Sequence, residues 1–210
     1  MNKKLLILLL SFTVLFSLSC SKEKGEKKAT ATPEIKRGVK PIADDEIAVI
    51  EMQQPAYGTI KLELYSNIAP KMVARYKELA REGVYNGTTF HRIDQNLGII
   101  QGGDPFSKDD NPLNDGQGNS GKPNVPAEFS DIPYDTGILG AARTQEPNSA
   151  NVQFFITLKR QQAFDTRYTV FGKVIEGMSN VRTISGVQPL ERERPLENIV
   201  IKSITIQPKQ

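Results

Sequence analysis

Apolar and polar residues alternate cleanly from Thr59 to Tyr65. Ile60, Leu62 and Leu64 share one face, and Thr59, Lys61 and Glu63 share the other. A period of two predicts a strand with one buried face. Glu46–Met52, with Ile47, Val49 and Ile50, predicts a strand before it, and residues 53–58 (Gln-Gln-Pro-Ala-Tyr-Gly) predict the connecting turn. The period then becomes helical. Met72, Val73, Tyr76, Leu79 and Ala80 form one stripe, and Lys71, Arg75, Lys77, Glu78, Arg81 and Glu82 form the opposite one. Asn67 is the expected cap, Pro70 suits the first turn, and Gly83 stops the run. Phe90–Ile93 and Leu97–Ile100 predict a second hairpin, ended by the turn formers Gln101-Gly102-Gly103-Asp104-Pro105. Further strands are expected at Ile138–Ala142, Val152–Thr157, Tyr168–Val174 and Ile199–Ile206, with a short helix at Val181–Ile184. About eight strands and two well-separated helices argue against a parallel α/β sheet. They predict a mainly β fold, an eight-stranded antiparallel barrel capped by two α-helices.

Composition divides the chain. The net charge of +3 over 210 residues hides a basic tail, since residues 21–40 hold seven basic and three acidic side chains. Residues 41–210 hold 18 basic and 21 acidic ones, so the body has no basic excess of the kind that marks nucleic-acid binding. One cysteine, Cys20, and one histidine, His91, exclude an internal disulfide and a zinc cluster. Asp109 to Asp115 lacks the ligand spacing of a calcium loop. No metal and no cofactor are expected.

Lys3 and Lys4 precede an uncharged run from Leu5 to Leu18, the pattern of a secretory signal. That run is 14 residues, short of the roughly 20 needed to span a bilayer. Ser19 and Cys20 end it. The segment resembles a bacterial lipobox, with Ser17 where the usual large aliphatic residue stands and Leu18 one place later. The expected organisation is therefore a signal peptide over 1–19, then a lipid anchor on Cys20 and a flexible tether over 20–43, then a folded domain over 44–210. Ordinary cleavage near Ser19, with Cys20 incidental, is the competing reading. Ser21, not the aspartate that retains some lipoproteins at an inner membrane, favours an extracytoplasmic site at an outer membrane.

Candidate chemistry centres on the second hairpin. It places Arg92 and Gln101 on neighbouring strands with apolar side chains between them. A fixed cation and an amide donor over an apolar floor suit a backbone carbonyl flanked by a greasy side chain. A structural ion pair with Glu128 is the plainer reading of Arg92. His91 has no serine or cysteine partner motif and reads as a packed, hydrogen-bonded side chain.

Six motifs together resemble the cyclophilins, a family of peptidyl-prolyl cis–trans isomerases. They are Phe90-His91-Arg92, Gln101-Gly102-Gly103-Asp104, residues 137–143 (Gly-Ile-Leu-Gly-Ala-Ala-Arg), Pro147-Asn148-Ser149, Gln153-Phe154-Phe155-Ile156 and Val170-Phe171-Gly172-Lys173-Val174. The similarity runs from about Glu46 to the C-terminus. It implies a cyclophilin-like barrel, proline-containing polypeptide substrates and a monomer, with no nucleic-acid partner. By position, Arg92 would be catalytic and Gln101 would bond the substrate backbone. Phe155 would floor the proline pocket, with Leu97, Ile99 and Phe164 on its walls. One extra residue lies between Arg92 and Gln101, so Gly98 competes with Leu97 for its role. The backbone of Ala142 and Arg143 would line the substrate as an added strand, and Gln153 would hold the far side. Tyr168 stands for a family histidine. Ala163 stands where many members carry tryptophan, which implies weak cyclosporin binding. Assisting the folding of exported proteins is the implied role. A proline-loop binding module with little catalysis is the alternative, and a hollow lipocalin-like barrel a more distant one.

Overall fold

A computed structural model of the chain describes residues 33–188 and 193–209. The signal segment and Cys20 lie outside the described residues. In chain order the strands are β1 (Ile35–Lys36), β2 (Glu46–Met52) and β3 (Thr59–Leu64), followed by helix α1 (Pro70–Arg81). Next come β4 (Arg92–Asp94), β5 (Ile99–Gly102), β6 (Phe129–Ser130), β7 (Ile138–Ala141), β8 (Phe154–Thr157) and β9 (Val170–Glu176). Helix α2 (Met178–Ser185) and β10 (Ile201–Pro208) complete the domain. Among the described residues no helix is long and apolar enough to cross a membrane.

Eight strands form one antiparallel sheet in the order β10-β2-β3-β9-β7-β8-β5-β4. The sheet curls until its ends meet. Thr89 pairs with Val200, the amides of Gly87 and Phe90 donate to the carbonyls of Ile201 and Ile199, and Ile201 N donates to Thr88. Closure of this kind satisfies the edge groups that an open sheet would expose. The barrel with two helices expected from the alternation is the fold observed.

Side chains of both faces are buried, which explains the unbroken apolar run of β8. Phe154 and Ile156 point into the main core, with the α1 stripe of Met72, Val73, Tyr76, Leu79 and Ala80. Phe155 points the other way, into a second cluster with Ile99, Tyr134, Ile138, Phe164 and Val170. Successive residues of a strand face opposite sides, so one register serves both cores.

Three expectations need correction. Asn67 does not cap α1. Its amide instead accepts from Ile42 N and donates to Lys40 O, at 3.0 and 2.9 Å. Glu128 serves the helix start from across the fold, accepting from Lys71 N at 3.2 Å and Met72 N at 3.0 Å. A carboxylate there satisfies orphan donors and complements the helix dipole. Glu128 is thereby committed to α1 and is not the partner of Arg92. The tether also ends sooner than residue 43. β1 pairs in parallel with β6, Lys36 Nζ donates to Ile68 O at 2.6 Å, and Gly38 N donates to Asp131 at 2.8 Å. Main-chain and polar contacts of this type need no large apolar side chains, so a composition argument misses them.

Candidate active site

The hairpin β4–β5 sets Arg92 directly opposite Gln101. Gln101 lies opposite Phe155 on β8, and Phe155 opposite Gly140 on β7. Directly paired residues of antiparallel strands share a face. Arg92, Gln101 and Phe155 therefore stand in one row across three strands, and Gly140 ends the row. A Cβ on Gly140 would lie 2.3 Å from Cζ of Phe155. Glycine is what lets that ring lie against the neighbouring strand. The other side of the ring is packed too. Tyr134 stacks on it at 5.7 Å between centroids, and the edges of Phe164 and Tyr168 meet it at 5.6 and 5.8 Å. Ile99, two residues before Gln101, joins the same cluster.

Leu97 does not join it. It sits in the turn between β4 and β5, 37% exposed, its amide donating to Asp94 Oδ1 at 2.8 Å. The extra residue in this hairpin lengthens the turn, and Leu97 lies in it, outside β5 and outside the buried cluster around Phe155. Gly98, the competitor for that role, takes a φ of +61° in the turn and has no side chain to offer.

Arg92 is held by acids the sequence reading did not name. Its Nε donates to Glu193 at 2.6 Å, one terminal nitrogen to Asp94 at 2.8 Å, and the other to Gln101 Oε1 at 3.4 Å. The chain of amides continues outward. Gln101 Nε2 donates to Gln153 Oε1 at 3.0 Å, and Gln153 Nε2 donates to the carbonyls of Gly116 and Gly118 at 3.0 and 3.1 Å. Those glycines belong to the long irregular segment, which buried Asp104 pins by accepting from the amides of Phe106, Gly116 and Gly118. The segment is thus a wall of the site. Ala142 N donates to Gln153 O at 3.0 Å, while the next amide, Arg143 N, has no partner among the described residues. The Arg143 guanidinium lies 4.4 Å from the Tyr168 ring centroid and donates to the carbonyls of Thr144, Gln145 and Arg167. Two cavities adjoin the Arg92–Gln101 end of the row, and Phe155 lines neither. One, of about 420 Å³, is lined by Gln101, Gly118, Ala142, Arg143 and Gln153. The other, of about 840 Å³, is lined by His91, Arg92, Leu113, Asp115, Arg143 and Arg194.

Comparison with known proteins matches this geometry. Residues 48–206 match the family described as cyclophilin type peptidyl-prolyl cis-trans isomerase/CLD. The chain belongs to the cyclophilin family. A probable peptidyl-prolyl cis-trans isomerase of Brucella suis is 44% identical over 130 residues, covering 60% of this chain and 66% of the relative, just under two thirds of its length. The human peptidyl-prolyl cis-trans isomerase-like 1 is 36% identical over 154 residues, covering 70% of this chain and 86% of that one. A cyclophilin type isomerase of Cryptosporidium parvum, crystallised in the presence of the dipeptide Ala-Pro, superposes with a TM-score of 0.69 at 30% identity. It covers 78% of this chain and 99% of that one.

In this cyclophilin His91 is buried, as expected from the sequence. Neither ring nitrogen meets a side-chain partner among the described residues, and the backbone of Thr89 is the group placed to support the ring. Burial pushes its pKa below the usual 6.5, and the nearby carboxylates of Asp104 and Asp115 oppose that only in part. The neutral ring is therefore favoured in the folded state. The unfolded chain takes up the proton first, so His91 supports folding above about pH 6.5 and that support is lost as pH falls through the lower folded value. Urea midpoints measured between pH 7 and 5.5 should fall more steeply for the wild type than for His91→Gln. Parallel curves would remove this account.

Asp94 and Glu193 were missed for different reasons. Asp94 was legible as the second residue along the strand on the same face as Arg92. Glu193 is about a hundred positions from its partner, and no local pattern announces it.

Proposed function

We propose that this cyclophilin accelerates rotation about X–Pro bonds in exported polypeptides, with Arg92 as the catalytic donor. The row Arg92–Gln101–Phe155 carries the reading, because it sets a permanent cation, an amide and an apolar ring side by side. The reaction breaks no bond. Its barrier of about 18–20 kcal/mol comes from conjugation of the proline nitrogen with the carbonyl. Without a catalyst the bond turns over in tens to hundreds of seconds. Twisting the amide localises the lone pair on a pyramidal nitrogen, which then accepts a hydrogen bond well. A donor that gains only in the twisted state lowers the barrier by differential binding.

Arg92 suits that part. A guanidinium has five N–H groups, and the contacts to Glu193, Asp94 and Gln101 use three, leaving one on each terminal nitrogen. The proline ring would rest against the Phe155 cluster with Ile99, Phe164 and Tyr168 around it. Gln101 and Gln153 would face the substrate backbone, and the free Arg143 amide would pair with it as an added strand does. An acceleration of about 10⁵ needs roughly 7 kcal/mol off the barrier. Preorganised donors in a site poor in water are a sufficient source. The Ala-Pro dipeptide present with the Cryptosporidium relative supports a proline ligand. Exchange spectroscopy on a proline peptide tests the reading. A catalyst raises the cis–trans exchange rate at substoichiometric concentration, whereas a pure binding module broadens peaks and leaves the rate unchanged.

Export and anchoring rest on the first forty residues. Cleavage before Cys20 and lipidation of its thiol would hold the domain at a bacterial membrane, the outer one by the absence of aspartate at position 21. Twelve residues separate Cys20 from Pro33, a span of at most about 45 Å when extended. The client would then be a chain folding close to the bilayer surface. Palmitate labelling in cells should mark the wild type and not Cys20→Ala. Equal labelling of both would reject the anchor.

A further inference from the structure

We infer that Glu193 is a positioning residue that sets the plane of the Arg92 guanidinium, an inference that rests on Arg92 being the catalytic donor. The clamp has three points. Glu193 takes Nε at 2.6 Å, Asp94 takes one terminal nitrogen at 2.8 Å, and Gln101 faces the other at 3.4 Å. Asp94 is fixed in turn, since its side chain is only 4% exposed and its second oxygen accepts from Leu97 N at 2.8 Å. Asp94 and Gln101 both come from the hairpin that carries Arg92. Glu193 comes from the segment ahead of β10, so it adds a constraint from outside the hairpin.

Glu193 is held where it is needed. Its backbone adopts a φ of +67°, a left-handed conformation that side-chain-bearing residues resist and that surrounding contacts must maintain. The next residue supplies those contacts. Arg194 Nε donates to Asp115 at 2.7 Å, and a terminal nitrogen donates to Asn198 Oδ1 at 2.9 Å. Asp115 adjoins Gly116, whose carbonyl accepts from Gln153. One short segment therefore ties the arginine to the wall on the far side of the larger cavity.

A stabilising surface pair is the competing account. The Arg92 and Glu193 side chains are 34% and 39% exposed, and pairs this open contribute little to stability. A latch that blocks Arg92 is a second competitor. It fits less well, because the contact occupies Nε and leaves an N–H free on each terminal nitrogen. Small misplacements of a catalytic group cost rate even when nothing else moves.

The test uses the full chain, with Glu193→Ala and Glu193→Gln made alone and in an Arg92→Ala background. Turnover is followed on a chromogenic proline tetrapeptide, and the Arg92 Nε–H signal by ¹⁵N NMR, assigned by its absence in Arg92→Ala. Glu193→Ala should lower kcat about 3- to 10-fold with KM within about twofold, and should broaden or shift the Nε–H signal. Glu193→Gln keeps an acceptor for Nε and should recover most of both. In the Arg92→Ala background Glu193→Ala should cost nothing further. Turnover lost in Arg92→Ala but unchanged or raised in Glu193→Ala would overturn the positioning role alone, as would an unmoved Nε–H signal. Turnover retained in Arg92→Ala would overturn the catalytic reading and the positioning role with it.

Discussion

Replacing Arg92 by alanine is expected to lower kcat/KM on a proline tetrapeptide about 100-fold while the barrel stays folded. Removing one preorganised donor that acts chiefly in a transition state costs about 2.7–4 kcal/mol, or 10²–10³ in rate. The lower end applies here, because the Phe155 cluster and the amide row would still hold substrate. The substitution also has a structural side. Asp94 is nearly buried, and without Arg92 its Oδ2 loses its partner while Oδ1 keeps Leu97 N. A buried acceptor left unpaired costs about 1–3 kcal/mol. Arg92→Ala should therefore melt a few degrees below the wild type, and Arg92→Ala/Asp94→Asn should recover part of that without recovering turnover. This double variant separates lost chemistry from lost stability. Arg92→Lys keeps a charge but not the planar fork that can hold carboxylates at two nitrogens and still present free donors. It should also be strongly impaired. Turnover within twofold of the wild type for Arg92→Ala, at a temperature where both are folded, would end the mechanism proposed here.

What could be read from the residues was whatever a local period or a joint motif carries. The alternation at Thr59–Tyr65 and the stripe from Met72 to Ala80 fix β3 and α1 because each element buries one face, and both faces are where that pattern puts them. The row of Arg92, Gln101 and Phe155 was legible through motif order, and the register of β4, β5 and β8 accounts for it. Contacts between distant polar residues were not legible. Glu128 at the start of α1, Glu193 on Arg92 and the docking of Ile35–Lys36 on β6 each join segments that share no period. Leu97 shows the converse limit. Counting positions through a hairpin fails where one residue is added, since a single insertion must be absorbed in the turn and shifts what the turn presents.

Phe155→Ala is expected to be the most destabilising single change in the site, by about 3–5 kcal/mol, and to weaken substrate binding at the same time. The ring is only 3% exposed and is enclosed by Tyr134, Phe164 and Tyr168. The cost of such a truncation depends on whether neighbours can close the space. Here the strand opposite offers Gly140, which has no side chain to move in, so the upper part of that range applies. For a domain of this size the melting temperature should fall by roughly 10 °C or more. The same geometry predicts a reversal of sign. In the wild type, Gly140→Ala sets a methyl 2.3 Å from Cζ of Phe155, and overpacking of this kind costs about 1–3 kcal/mol. In a Phe155→Ala background that methyl enters the vacated space and should stabilise. A double-mutant cycle on thermal or urea unfolding reads the coupling directly. Stability should return in part, but turnover should not, because a methyl on β7 cannot replace the aromatic surface on which the proposed function sets the proline ring. Additive effects of the two changes would show that the Phe155 ring does not depend on the bare strand at Gly140.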